Sequence, residues 1–182
     1  MHAQGSNVDS LAAGGVVATR IFEAPRGLVF EAWTKVEHFT RWFGPHGAEV
    51  FGCELDPRPG GVIRFGHRLG GMTVRVKGTF REIVPDERIV FTIGFVDEQG
   101  RPCRHPMFDD WPLETVILTS VVLESVGSGT RVTVAQHELP PAAASHPAVK
   151  RCRELALEGW KQVIARLGEH LSTHPDTRGE HA

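Results

Sequence analysis

Three neighbouring segments of this chain carry apolar side chains at every second position, and this constrains its fold more than any other feature. In VIRFGHRL, residues 62–69, Ile63, Phe65, His67 and Leu69 share one face while Arg64 and Arg68 share the other. In MTVRVKGTF, residues 72–80, Val74, Val76, Gly78 and Phe80 oppose Arg75, Lys77 and the following Arg81. In RIVFTIGF, residues 88–95, Ile89, Phe91, Ile93 and Phe95 fall together. A period of two is that of a half-buried strand, whose successive side chains point to opposite faces. The segments therefore predict an antiparallel sheet with one dry and one wet face, and the dry face needs a cover.

The segment from Pro147 to Leu171 is the long helix available for that purpose. Along it Cys152, Ala156, Gly159, Trp160, Val163, Leu167 and Leu171 recur at steps of three and four, with Lys150, Arg153, Lys161 and Arg166 largely elsewhere around the axis. Gly159 weakens such a helix by roughly 1 kcal/mol relative to Ala, which points either to close packing or to a gap kept open.

The other elements follow from the same signals. VVATRIFE (residues 16–23) has strand character until Pro25, which presets the backbone for a helix start; RGLVFEAWT (26–34) then carries Leu28, Val29, Ala32 and Trp33 at helical spacing. A second short helix from Val36 to Phe43 ends at GPHG. Further strands are expected at Ala48–Leu55, Glu114–Glu124 and Thr130–Glu138, and the third alternating segment extends to Val96. Glycine pairs Gly60–Gly61 and Gly70–Gly71 sit between strands and read as turns, not phosphate cradles. The order is strand, two short helices, six strands, long helix: an α+β chain with about seven strands.

With 182 residues, 41% hydrophobic and 23% charged residues and a net charge of −2, the chain has the composition of one soluble globular domain. We expect the domain at residues 16–171, between mobile tails at 1–15 and 172–182. No basic block calls for nucleic acid, and no apolar run of roughly 18 residues calls for membrane insertion. Cys53, Cys103 and Cys152 are odd in number and form no CxxC pair, which fits a reducing cytoplasm. The histidines at 38, 46, 67, 105, 137, 146 and 170 show no metal-ligand spacing, so no metal and no cofactor are expected.

Taken together, FEAPRGLVFEAWT, RWFGPHG, DPRPGGVIRF, GTFREIVPDERIVFT and EGWKQVIARLGEHL make residues 19–171 resemble the START-like (SRPBCC) superfamily. The nearest likeness is to the branch sharing its fold with the C-terminal domain of the activator of heat-shock protein 90 ATPase. RHPMFDDWPLE, residues 104–114, looks like a loop variant of some bacterial members. The resemblance implies the helix-grip (Bet v 1-like) fold, a cavity between helix and curved sheet, and lipophilic ligands across the wider superfamily. That superfamily also holds cyclases and co-chaperones, so fold alone does not assign a function.

The candidate ligand-binding residues are Phe65, His67, Val74, Phe91, Phe95, Trp111, Trp160 and Val163. Trp33 and Trp42 are further aromatics able to line a pocket or simply fill the core. His67 stands on the dry face, either as a polar contact or acid–base group for a ligand, or as a core or rim histidine satisfied by a neighbour. The long loop from Asp97 to Leu113 is either a lid, a docking surface or a segment folded onto the domain. Glu49, Glu54 and Glu114 are either solvated or an acid–base pair at a cavity mouth.

Three functions remain in play. A lipophilic small molecule held under the helix is the first, with no catalytic residue assigned. A cyclase- or hydrolase-type enzyme using His67 is the second, and it needs another titratable group nearby. A co-chaperone-like interaction module using Arg64, Arg68, Arg75, Lys77 and Arg81 on the wet face is the third. A homodimer through a sheet edge or the loop is compatible with each.

Overall fold

A computed structural model of the chain describes residues 15–174. The strands are β1 (Val16–Phe22), β2 (Glu49–Leu55), β3 (Val62–Leu69), β4 (Met72–Val84), β5 (Arg88–Phe95), β6 (Val116–Val126) and β7 (Gly129–Leu139). The helices are α1 (Arg26–Thr34), α2 (Val36–Trp42) and α3 (Pro147–Thr173), the last preceded by a 3-10 turn at Pro141–Ser145. The tail expectation for residues 1–14 and 175–182 lies outside the described residues. Helix α3 runs two residues past Leu171, and the Ser172 and Thr173 hydroxyls donate to the Glu169 carbonyl.

All seven strands form one antiparallel sheet in the order β1-β7-β6-β5-β4-β3-β2, and with α1, α2 and α3 they make the helix-grip fold. The two-residue turn Gly70–Gly71 joins Leu69 to its partner Met72, and both glycines have positive φ, 56° and 82°. That backbone matches the right-handed twist of the strands and excludes most side chains. A bulge between Phe80 and Glu82 makes Arg81 the extra residue of β4, so Phe80 stays inside while Ile83 pairs with Ile89.

The dry face carries one continuous core. Phe22, Ile63, Phe80, Phe91, Val121, Val132 and Val134 from the strands join Val163, Ile164, Leu167 and Leu171 of α3 in a single buried cluster. The outer face is less uniformly wet than alternation alone predicts: Val90 and Thr92 on β5 are buried, and the Arg81 side chain reaches across to donate to the Thr92 hydroxyl at 3.3 Å.

Helix α1 begins at Pro25, whose φ of −66° and ψ of 150° form the N-cap. Its Trp33 stacks on Trp160 of α3, ring centres 6.1 Å apart, and Trp42 of α2 donates its indole hydrogen to the Ala32 carbonyl at 2.9 Å. The short helices therefore bridge the two edges of the sheet and brace α3 with aromatic surface. No helix among the described residues is long and apolar enough to cross a membrane.

Candidate functional site

Between the dry sheet face and α3 lies a cavity of about 290 Å³, walled by β3, β4 and β5, by the loop after α2, by the loop 97–113 and by α3. Phe65, His67 and Val74 reach it from β3 and β4 because alternation turns them inward, and Phe95 reaches it from the end of β5. Trp160 and Val163 face it from α3. Met107 and Leu155 line the same space while about half exposed, at 52% and 51%, and so mark its mouth.

Two of the sequence candidates lie elsewhere. Phe91 is 2% exposed and packs edge-on against Phe80 at 6.0 Å, in the closed part of the core. Trp111, also 2% exposed, sits behind the cavity wall, edge-on to Phe95 at 5.2 Å and 5.8 Å from the His105 ring. Its indole braces the loop from behind, and its neighbours His105, Met107 and Phe108 take the wall positions. The loop thus folds onto the domain and contributes to the site: Arg151 of α3 bonds Asp110 at 2.8 Å and stands over the Phe108 ring.

Three contributors carry no obvious site signal in the sequence. Gln136 of β7 lines the cavity with its amide oriented by bonding at both ends. The Trp160 indole can only donate, so the Gln136 Oε1 accepts from it at 2.7 Å and Nε2 donates to Thr119 at 2.9 Å. His105 lines the wall from an irregular loop, where no periodicity marks a facing. Arg166 of α3 donates to the carbonyls of Arg41, Phe43, Gly44 and Pro45 at 3.0–3.3 Å, holding against the helix a loop whose Phe43, Gly44 and Pro45 line the cavity.

The electrostatics of the site are those of a neutral chamber. No Asp, Glu, Lys or Arg lines it. Burial lowers the pKa of His67, and burial followed by the nearby His67 imidazole pushes His105 down to about 4, so both rings are neutral at pH 7. Burial also raises the Cys152 thiol to about 11, with Glu138 adding to the rise, which keeps it protonated. The His67 Nδ1 is buried and has no hydrogen-bond partner, so the neighbour-satisfied reading of this histidine does not describe that nitrogen.

Other candidates resolve away from the cavity. Glu49 and Glu54 pair with Arg68 and Arg64 at 3.7 and 2.8 Å on solvent-exposed side chains, and Arg75 pairs with Glu98 at 2.9 Å. The outer face is consequently a mosaic of both signs and not the basic patch that its arginines alone imply. His38 Nδ1 lies 3.0 Å from His170 Nε2, tying α2 to the end of α3. No group of three or more His, Cys, Asp or Glu side chains among the described residues is disposed to hold a metal ion.

No curated protein matches the chain. A solved structure from Chromobacterium violaceum is 25% identical over 90% of this chain and 99% of its own, with a TM-score of 0.67. One from Nitrosomonas europaea is 25% identical over 88% and 96%, with a TM-score of 0.67. A solution structure from Arthrobacter aurescens shares the fold with a TM-score of 0.73 at 21% identity, over 94% and 93% of the two chains. The family model described as Activator of Hsp90 ATPase homolog 1-like protein matches residues 23–172, and the chain belongs to that family.

Proposed function

We propose that the protein binds a small apolar or aromatic molecule in the cavity between the sheet and α3. The observation that carries this reading is the cavity itself: about 290 Å³ of space with apolar walls and no charged lining, opening between Met107 and Leu155. An apolar molecule seated against these walls removes apolar surface of both partners from water, which drives such binding. Few polar groups on a largely apolar wall is the usual composition of a small-molecule site. The three free cysteines are the basis for placing this activity in the cytoplasm.

The co-chaperone-like reading draws less support, because Arg64, Arg68 and Arg75 already hold carboxylate partners. Titration with the neutral fluorophore N-phenyl-1-naphthylamine tests the proposal. We expect saturable one-to-one binding that Gly159→Leu abolishes, since that side chain enters the cavity from α3. Absence of saturable binding by the folded wild-type protein would refute it.

A further inference from the structure

We propose that the cavity selects a neutral, flat, hydroxylated ligand of the phenol type, with its hydroxyl received by His67. The inference rests on the binding function just described and adds the chemical class of what is bound.

Exclusion by charge comes first. A carboxylate or ammonium group entering a wall without Asp, Glu, Lys or Arg sheds its hydration and finds no counter-ion. Fatty acids and amines are therefore poor occupants, although their hydrocarbon parts match the wall. Size comes second: the cavity lies at the small end of ligand pockets, which span roughly 300–1,000 Å³, and suits two or three fused rings better than a long acyl chain. Shape comes third. Phe43 packs edge-on against Phe65 at 4.8 Å and Trp160 at 6.1 Å, and all three line the cavity as one aromatic cluster whose surface favours contact with a flat ring.

Counting polar atoms identifies the contact. Gln136 is held by Trp160 and Thr119, with its Oε1 and one of its two Nε2 hydrogens engaged. His105 accepts the Met107 backbone N–H on Nδ1 at 3.0 Å, which leaves Nε2 as the hydrogen-bearing nitrogen of the neutral ring. His67 remains: neither of its ring nitrogens has a hydrogen-bond partner, and because Nδ1 is sealed within the wall, Nε2 is the nitrogen a ligand in the cavity can reach. Which of its nitrogens bears the hydrogen decides whether it donates or accepts. A hydroxyl satisfies either case, because it both donates and accepts, whereas a carbonyl or an ether only accepts. His105 supplies a second donor on the same wall, suited to the hydroxyl's remaining lone pair.

Competition against N-phenyl-1-naphthylamine with 2-naphthol, 2-methylnaphthalene and 2-naphthoate tests the idea. These probes differ in one substituent: hydroxyl, methyl or carboxylate. We expect 2-naphthol to bind about 5- to 30-fold more tightly than 2-methylnaphthalene and at least tenfold more tightly than 2-naphthoate. In His67→Phe the ratio of 2-naphthol to 2-methylnaphthalene falls to near one, and His67→Gln, which retains a hydrogen-bonding end, keeps part of it. Equal affinity for all three probes, or a preference for 2-naphthoate, overturns the inference and leaves the binding function standing. Failure of the fluorophore and every probe to bind overturns the binding function itself. Should His67→Phe not fold, the probe series on the wild-type protein and His67→Gln still decides.

Discussion

Replacing Gly159 by alanine should stabilise the protein, and the size of the effect follows from the structure. A helix-interior glycine costs about 1 kcal/mol relative to alanine, because the unfolded chain has more freedom to lose. That gain is realised only if the new methyl group meets nothing. At Gly159 no heavy atom lies within 4 Å of where a Cβ would stand, since the residue faces the cavity. At Gly168, on the same helix, a Cβ would meet the Phe22 ring at 3.3 Å and the Arg20 guanidinium at 3.5 Å. For a chain of 182 residues about 1 kcal/mol corresponds to roughly 2–4 °C in Tm. Differential scanning calorimetry should therefore show Gly159→Ala melting about 2–4 °C higher and Gly168→Ala gaining less or nothing. A lower Tm for Gly159→Ala, or an equal gain at both positions, would refute the argument that Gly159 leaves a gap.

Other perturbations have equally definite outcomes. Arg166→Met removes the donors to four loop carbonyls and should cost about 2–3 kcal/mol, read by urea denaturation, and should weaken fluorophore binding as the Phe43–Pro45 wall loosens. Glu138, 7% exposed, accepts a bidentate bond from Arg153 of α3, so Glu138→Gln strands a half-buried guanidinium and should cost about 3 kcal/mol. Acidification should destabilise the fold. Burial holds His105 and His170 at about 4, the latter helped by His174, His38 and Arg41, while the unfolded chain takes up these protons near 6.5. Folded pKa values below the unfolded value mean that stability is full above pH 6.5 and is lost as pH falls toward 4, by on the order of 1 kcal/mol per group once solvent screening at these part-buried rings is counted. Denaturant midpoints flat from pH 5 to pH 7 would contradict this.

Much of the fold is legible because period-two alternation survives translation into three dimensions unchanged. Strand β3 begins and ends where the alternation does, β4 begins with it and runs past its end through the bulge at Arg81 to Val84, and α3 follows its stripe. Phe65, His67 and Val74 are assignable to one wall for the same reason. Phe91 shares their parity yet misses the cavity, because parity names a face of the sheet without saying which part of that face is packed solid. Gln136 and Glu138 were within reach of the same argument, since they follow Val132 and Val134 at steps of two on β7, but their polarity suggests the wet face. Arg166 and His105 were not. The acceptors of Arg166 are carbonyls, which every residue has, and the position of His105 depends on how an irregular loop settles around Trp111.

The placement of β1 at the sheet edge beside β7 also bears on how the chain reaches its native state. Phe22 pairs with Thr130 and Val16 with Gln136, so the first of the seven strands has its ladder partner in the last of them, more than 100 residues along the chain. A nascent chain therefore carries β1 unpaired until β7 has emerged, with α1 and α2 unable to brace a helix not yet made. Such long-range closure slows folding through the entropy of joining distant segments. A truncation before Thr130 removes every ladder partner of β1 and leaves the first strand unpaired on both sides, prone to pairing with another copy.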